Sequence, residues 1–184
     1  LKPNHTSGNI YICKNKKLID MFSLRNQVNS WMKRQYYWYH REWPYKNIEP
    51  RIICEELLED ETGEGLKDYK FLCFSGKVRC SFVCLNRYSK GGLNIDFYDM
   101  NWNKMNFERH YPNSNSLVPR PYNYDKMIEF AEKLSYGITF VRVDFYESKG
   151  KLYFGELTFH PGSGYEEFNP ESYDYLLGSW INLK

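Results

Sequence analysis

The chain has 184 residues, 42% hydrophobic and 26% charged, a composition that predicts a globular domain with its own core and excludes a disordered chain. Its 25 basic and 23 acidic residues leave a charge of +2, too weak to attract nucleic acid or an anionic membrane without a local patch. The apolar runs are far shorter than the roughly 20 residues of a membrane helix, and no signal-peptide pattern opens the chain. We therefore expect a cytoplasmic protein with no integral membrane segment and no nucleic acid partner.

The cysteine spacing bears on metal binding and redox state. The five cysteines form no C-x-x-C pair, and their odd number argues against a closed disulfide framework. Cys80 and Cys84 are four apart in a predicted strand, so both point to one face. We expect reduced thiols in the core rather than a zinc site, which needs closer ligand pairs.

Short predicted strands and helices follow along the chain. Residues 9–13 form a predicted strand, and Ser23 is the predicted N-cap of a helix that ends near Gln35. Residues 52–58 form an apolar strand, and residues 59–67 form an acidic loop. The later elements are a hairpin (69–74 and 78–86, joined at Ser75-Gly76-Lys77), an irregular segment with a strand near Ile95 (87–121), a helix capped by Asn123 and stopped by Gly137, and helical turns between Pro170 and Gly178. Hairpins and helices without regular alternation predict an α+β fold in one compact unit.

An aromatic and basic stretch covers residues 36–45. Its rings could stack on sugars while its cations bind uronic acid carboxylates. Packing of the rings under a loop is the favoured alternative, because 17 tyrosines make any window of this chain look aromatic. Single-stranded nucleic acid binding has the same weak support. The residues concerned are Tyr36, Tyr37, Trp38, Tyr39 and Trp43, with Arg34, His40 and Arg41.

The hairpin predicted over residues 138–159 carries the strongest chemical pattern. A three-residue loop, Ser148-Lys149-Gly150, with glycine at its left-handed position, predicts that Arg142 faces Glu156 and that Asp144 faces Phe154. One face of the hairpin is predicted to be core: Val141, Val143, Phe145, Tyr153, Leu157 and Phe159. The opposite face carries Arg142, Asp144, Glu156 and Thr158.

The two carboxylates on that polar face suggest a metal site. Asp144 and Glu156 are diagonal neighbours, roughly 7–8 Å apart at the backbone, and a divalent cation would relieve their repulsion. An ordinary ion pair between Arg142 and Glu156 is the competing interpretation. The strand runs directly into residues 160–164, a glycine-containing loop that permits close approach to a ligand. Together these features favour a metal–phosphate site over residues 142–164.

In this hairpin and the loop after it, the sequence resembles the ATP-grasp superfamily of carboxylate-amine ligases. Arg142-Val143-Asp144 and Glu156-Leu157-Thr158, followed by the Pro161-Gly162 loop, are similar to its carboxyl-terminal signature of Arg-x-Asp and Glu-x-Asn. Thr158 replaces the asparagine that serves that superfamily as a metal ligand. The resemblance implies that Asp144, Glu156 and Thr158 hold Mg²⁺, and that Arg142 stabilises charge on the transferred phosphoryl group or on the tetrahedral intermediate.

The start and middle of the chain extend the resemblance. Lys2 and the small-residue loop after it are similar to the superfamily's phosphate-binding segment, although a plain turn explains the loop equally well. Glu55 resembles the hinge glutamate that takes the exocyclic amine of adenine, Asp68 the acid for the ribose, and Lys70 a second phosphate ligand. The residues implied for ATP are Lys2, Ser7, Gly8, Glu55, Leu57, Leu58, Asp68 and Lys70.

Within the superfamily, the sequence motifs are similar to those of the TupA-like branch, which is associated with teichuronopeptide and other cell-surface polysaccharide synthesis. The matching strings run in order from Lys-Pro-Asn-His at the start to Gly-Glu-Leu-Thr-Phe and Leu-Gly-Ser-Trp near the end. The resemblance implies antiparallel sheets with packed helices over residues 1–184, in an ATP-grasp core that lacks the amino-terminal domain of a longer chain. The implied reaction uses ATP and Mg²⁺ to join a carboxylate acceptor, such as a uronic acid, to an amine donor.

Two other functions remain open. A non-catalytic nucleotide- or sugar-binding module would keep the fold without turnover. A metal-dependent glycosyltransferase ranks last, because the sequence contains no Asp-x-Asp pair.

Overall fold

The computed structural model describes residues 1–58, 66–86 and 91–183. The chain divides into two compact units, Leu1–Leu58 and Glu59–Lys184, called below the amino-terminal and carboxy-terminal units. Most of the predicted acidic loop (residues 59–65) and the start of the predicted irregular segment (residues 87–90) lie outside the described residues. The assignment of residues 1–184 to one core stays a prediction. Over the described ranges, no helix is both long and apolar enough to cross a membrane.

The elements form a mixed fold of antiparallel strands and helices, as the sequence predicted. The strands are β1 (Lys2–Pro3), β2 (Ile52–Ile53), β3 (Asp68–Phe74), β4 (Lys77–Leu85), β5 (Asn94–Tyr98), β6 (Glu108–Arg109), β7 (Phe140–Ser148), β8 (Lys151–Thr158) and β9 (Phe168–Asn169). The helices are α1 (Met21–Met32), α2 (Tyr36–His40), α3 (Tyr124–Leu134) and α4 (Ser172–Ser179).

The amino-terminal unit has less strand than predicted. Residues 9–13 form no strand, because Leu1 and Tyr11 exchange only a single pair of hydrogen bonds of 2.9 Å. The predicted strand over residues 52–58 shortens to β2, whose partner β1 is itself two residues long.

Helix α1 begins two residues before the predicted cap. Oδ1 of Asp20 accepts hydrogen bonds from the backbone N–H groups of Phe22 and Ser23, at 3.0 and 3.1 Å, so Asp20 is the N-cap. Ser23 lies within the first turn and donates its hydroxyl to Asp20 Oδ2. The prediction of Ser23 as the cap was wrong, because Asp20 caps the helix three residues earlier and Ser23 lies inside the first turn.

The carboxy-terminal unit is organised by one five-stranded antiparallel sheet, in the order β5-β4-β3-β7-β8. Helix α3 covers one face, where Met127 and Ala131 pack against Phe71 and Val143. Leu177 of α4 contributes to the apolar cluster on the other face. The remaining buried members of that second cluster are Leu72, Phe74, Cys80, Phe82, Cys84, Ile95, Phe97 and Phe107.

Both predicted hairpins turn in two residues rather than three. Phe74 pairs with Lys77 across Ser75-Gly76, and Ser148 pairs with Lys151 across Lys149-Gly150. All four turn residues have φ between 49° and 78°, the left-handed values of a type I′ turn, which matches the twist of the flanking strands.

The predicted register of the second hairpin was therefore wrong. A bulge between Val143 and Phe145 shifts the pairing further, so Arg142 faces Thr158 instead of Glu156. Near the turn the one-residue difference puts Leu152 against the core cluster, where Tyr153 was predicted. Phe159, predicted as core, is exposed.

The bulge at Gly155 leads to a prediction about stability. A Cβ at Gly155 would lie 2.9 Å from Tyr146 Cε2 and 3.1 Å from the carbonyl oxygen of Asp144. We expect Gly155→Ala to lower the free energy of unfolding by about 1–3 kcal/mol through overpacking. The control is Gly178→Ala in α4, where a Cβ meets nothing within 4 Å and alanine should raise stability by about 0.5–1 kcal/mol. Urea denaturation followed by circular dichroism measures both, and equal effects of the two substitutions would contradict the bulge.

The cysteines give a second prediction. All five are free, as expected, and Cys73, Cys80 and Cys84 are buried while Cys54 is exposed. Burial raises the pKa of Cys73 to about 11 and that of Cys80 to about 12, so neither forms much of the reactive thiolate near neutral pH. A chromogenic disulfide reagent should therefore label Cys54 quickly in the native protein and the three buried thiols only after denaturant is added. Rapid native labelling of Cys80, detected by peptide mass spectrometry, would contradict this packing.

Candidate functional site

A buried ion cluster lies where β3 and β7 pair. The register sets Lys70 opposite Asp144, and the Asp144 side chain is 1% exposed. Arg142 donates from Nε to Asp144 Oδ1 and from Nη2 to Oδ2, both at 2.7 Å, while Lys70 Nζ also contacts Oδ2. Asp68 Oδ2 lies 2.8 Å from Lys70 Nζ. The sheet thus holds two cations and two carboxylates in direct contact, away from water.

Glu156 extends this cluster towards solvent. Arg142 Nη2 donates to Glu156 Oε1 at 2.7 Å, and the Thr158 hydroxyl donates to the same oxygen at 2.9 Å. The Glu156 side chain is 57% exposed. Arg142 therefore bridges a buried and an exposed carboxylate, so the ion pair that competed with the metal interpretation is present. The four predicted polar residues do share one face.

The surroundings of Arg142 fix its charge. Burial lowers the pKa of the guanidinium, but the charges of Asp144 and Glu156 and the hydrogen bonds to Asp144 outweigh it and raise the pKa above its ordinary value. Arg142 is a permanent cation.

Arg109 is a further member of this region that the sequence did not indicate. Its guanidinium carbon lies 4.5 Å from the centre of the Phe82 ring, and its Nε lies 3.0 Å from Glu166 Oε2. Burial lowers the pKa of Arg109; Glu166 opposes this effect, and the positive charge of Arg142 adds to it. The segment around Arg109 has no periodic pattern, and its only signal was a charged residue two positions after Phe107.

The Arg109–Glu166 pair bears on the glycine loop after β8. A Cβ at Gly162 would lie 2.3 Å from Glu166 Cδ, so only glycine allows this carboxylate to approach. Gly162, Ser163 and Gly164 all have positive φ, of 56°, 58° and 77°. The loop is therefore held against Glu166 by a backbone shape that depends on its glycines.

The predicted nucleotide residues of the amino-terminal unit form a separate group. Lys2 Nζ lies 2.8 Å from Glu55 Oε2, with both side chains about half exposed. Ser7 and Gly8 are exposed, and Gly8 has a φ of 78°. Leu57 and Leu58 lie beyond the end of β2. The structure thus brings Lys2 together with Glu55 in this unit, and Asp68 and Lys70 together with the carboxylates in the other.

The oxygen donors can be compared with what Mg²⁺ requires. Carboxylate and hydroxyl oxygens suit Mg²⁺, so Asp144, Glu156 and Thr158 fit the ion in kind. Both oxygens of Asp144 are already bound by cations, whereas Glu156 Oε2 accepts no hydrogen bond from any described residue. Over residues 1–58, 66–86 and 91–183, no three His, Cys, Asp or Glu side chains form a group that could hold a metal ion. Any cation here must therefore compete with Arg142 and Lys70.

The buried pairing yields a prediction. Lys70→Met leaves Asp144 and Asp68 without one of their cations, and we expect a loss of about 3–5 kcal/mol in the free energy of unfolding. The control is Lys77→Met, which removes the mostly exposed lysine that lies 2.8 Å from Glu132 and should cost about 0–1 kcal/mol. Urea titration of both variants decides the matter. Similar losses would mean that the Lys70 contacts contribute no more than a surface ion pair.

Comparison with known proteins identifies the family. The family model described as TupA-like ATPgrasp matches residues 1–182. No curated protein and no solved structure matches the chain in the same comparisons. The match covers nearly the whole sequence, and it includes the Lys2–Glu55 pair as well as the ion cluster on β3, β7 and β8. The chain belongs to the TupA-like ATP-grasp family.

Proposed function

We propose that this chain is the nucleotide-binding and catalytic core of a carboxylate-amine ligase that uses ATP and Mg²⁺. The observation that carries the proposal is Arg142, a permanent cation bridging the buried carboxylate of Asp144 and the exposed carboxylate of Glu156. Fixed charges of both signs at the edge of a dry sheet are the preorganised environment that phosphoryl transfer needs. Family membership supports ligase chemistry in general terms.

In the proposed reaction the acceptor carboxylate attacks the γ-phosphorus of ATP, which releases ADP and leaves an acylphosphate. The amine then attacks the acyl carbon and displaces inorganic phosphate, so an amide forms. Arg142 stabilises negative charge on the transferred phosphoryl group or on the tetrahedral intermediate. Bound Mg²⁺, held by Asp144, Glu156 and Thr158, would supply charge neutralisation at the phosphate oxygens.

Each predicted nucleotide residue has a proposed role. Lys2 and Lys70 bind phosphate oxygens, Glu55 accepts the exocyclic amine of adenine, and Asp68 accepts from the ribose. The Lys2–Glu55 contact must open for this, and exposed pairs of that kind are worth only about 0–1 kcal/mol. The buried Lys70–Asp68 contact must open as well, and Asp144 then remains as the carboxylate that balances Lys70. The backbone at Ser7, Gly8, Leu57 and Leu58 completes the nucleotide contacts.

We further propose that the acceptor is a uronic acid of a cell-surface polysaccharide such as a capsule, that the donor is an amino acid or another amine, and that the reaction takes place in the cytoplasm. A uronic acid supplies the free carboxylate that the mechanism requires. The support for the polysaccharide is the association of the TupA-like branch with cell-surface polysaccharide synthesis.

A non-catalytic nucleotide- or sugar-binding module is the second candidate. One observation favours it: Asp144 already has two cationic partners, Lys70 and Arg142. A module of this kind would bind nucleotide without consuming it.

An assay of ADP and phosphate release separates the two candidates. The full-length protein is incubated with ATP, Mg²⁺ and mixed pools of uronic acids and amino acids, and the ligase proposal predicts ADP only when both pools are present. Nucleotide binding without any ADP release would support the module instead. Consumption of a UDP-sugar would support the glycosyltransferase.

Variants of the carboxylates test the site in the same assay. We expect Glu156→Gln and Asp144→Asn each to reduce the rate about 100-fold or more, because each removes a charge that the transition state needs. Glu129→Gln is the matched control, since Glu129 is also 57% exposed and ion-paired, with Lys133, but lies on α3. Rates unchanged in Glu156→Gln, with the fold intact by circular dichroism, would show that the site is wrongly placed.

A further inference from the structure

A group of exposed rings and cations in the amino-terminal unit has no part in the proposed reaction. This aromatic platform consists of Tyr37, Trp38, Arg41, Trp43 and Lys46. The Tyr37 ring meets Trp38 edge-on at 5.2 Å and Trp43 edge-on at 6.1 Å, measured between ring centres. Trp38 is 57% exposed and Trp43 is 62% exposed. Two large indole side chains therefore pack edge-on against a central tyrosine and remain more than half exposed.

Each indole of the platform carries a cation. The guanidinium carbon of Arg41 lies 5.0 Å from the centre of the Trp38 ring, and Lys46 Nζ lies 4.2 Å from that of Trp43. Both cations also lie within 6 Å of the Tyr37 ring centre. These distances are those of cation–π contacts, in which each positive group lies over one face of the ring. Neither cation has a carboxylate partner within ion-pair distance among the described residues.

The one acid in this segment is turned inward. Glu42 is buried and accepts a hydrogen bond of 3.1 Å from the Tyr36 hydroxyl. Burial, followed by the charge of Glu42, raises the pKa of Tyr36, so this hydroxyl stays a donor. Tyr36 also stacks on His40 at 4.3 Å and contacts Tyr45 at 4.7 Å. Packing of rings, the interpretation favoured from the sequence, therefore describes Tyr36, His40 and Tyr45. The platform residues outside this packed group carry positive charge and no acid.

Arg41 occupies a backbone position that glycine would fill without strain. It ends α2 with φ at 56°, in the left-handed region, and its N–H donates to the Tyr37 carbonyl at 2.7 Å. An arginine at this position adopts an unfavourable backbone conformation and places its guanidinium over Trp38.

We propose that the aromatic platform binds a chain of carboxylate-bearing sugars. The C–H face of a sugar ring would lie on Trp38 or Trp43, and the carboxylates of the same chain would pair with Arg41 and Lys46. A uronic acid chain offers both features in each residue. Nucleic acid also combines flat rings with anions, but the whole chain carries a net charge of only +2, whereas nucleic acid-binding proteins are typically strongly basic. In the proposed reaction the platform would select the acceptor, and this role rests on the proposed function. Binding of the sugar chain can nevertheless be measured without turnover.

The probe is oligogalacturonate, titrated into the full chain without ATP and followed by tryptophan fluorescence and calorimetry. We expect saturable binding that weakens as NaCl is added, because part of it is electrostatic. The methyl-esterified oligomer, which keeps the rings but loses the charges, should bind about tenfold more weakly or worse. Equal binding of the two oligomers, tighter binding of oligo(dT), or no binding of oligogalacturonate would each overturn the proposal.

Substitutions locate the binding. Trp38→Ala, Trp43→Ala and Arg41→Gly should each weaken oligogalacturonate binding about tenfold. Arg41→Gly is the sharpest of these, since it relaxes the backbone and should leave the thermal midpoint unchanged or raised. Tyr39→Ala is the matched control, because Tyr39 lies on the same helix, is 81% exposed and has no ring or cation contact among the described residues. Unaltered affinity in Arg41→Gly and Trp43→Ala would overturn the assignment.

The outcome is independent of the ligase assay. If the protein binds oligogalacturonate as expected but releases no ADP when ATP and amines are added, the proposed function fails and the platform proposal stands. If ADP is released and the three platform variants bind normally, the platform fails and the ligase stands.

Discussion

The carboxylate of Asp144 is the group on which the carboxy-terminal unit depends. It is 1% exposed, and a buried carboxylate is tolerated only when cations and hydrogen bonds replace its lost water. Lys70 comes from β3 and Arg142 from β7, so the two strands must be neighbours in this register for the charge to be compensated. Asp68 then balances Lys70 at 2.8 Å. The same ion pairs therefore determine both the charges of the site and the register of the sheet. A slip of β3 against β7 would leave the buried Lys70 without its partner Asp144.

The bulge on β8 converts this buried pair into a site that reaches solvent. Gly155 packs on the backbone of Asp144, and the extra residue lets Glu156 turn its carboxylate to the Nη2 atom of Arg142. Without the bulge, the strand pairing would continue regularly past Asp144. Arg142 can therefore contact a buried and an exposed carboxylate at once. The cluster has one carboxylate fixed in the interior and one that can reorient in solvent.

The same hairpin shows how far the sequence could go. Turn chemistry predicted both hairpins, but a type I′ turn leaves one residue fewer in the loop, which moved Tyr153 off the core face. The bulge adds a second shift beyond Phe145, and two shifts restore the original face. This is why Arg142, Asp144 and Glu156 share a face as predicted although their partners differ. The bulge itself depends on contacts between Gly155 and Asp144, which no local pattern encodes, and the place of Arg109 depends on rings distant in sequence.

The exposures of the two carboxylates decide which of them a metal ion would move. Asp144 is held by two contacts from Arg142 and one from Lys70, and its release would leave buried cations uncompensated. Glu156 is mostly exposed, gives only one oxygen to Arg142 and Thr158, and keeps Oε2 without a partner among the described residues. Its reorientation costs less than that of Asp144, because the Glu156 side chain is already mostly in contact with water. A cation held through Glu156 would therefore need to draw only this carboxylate away from Arg142, which would stay paired with Asp144 through Nε and Nη2.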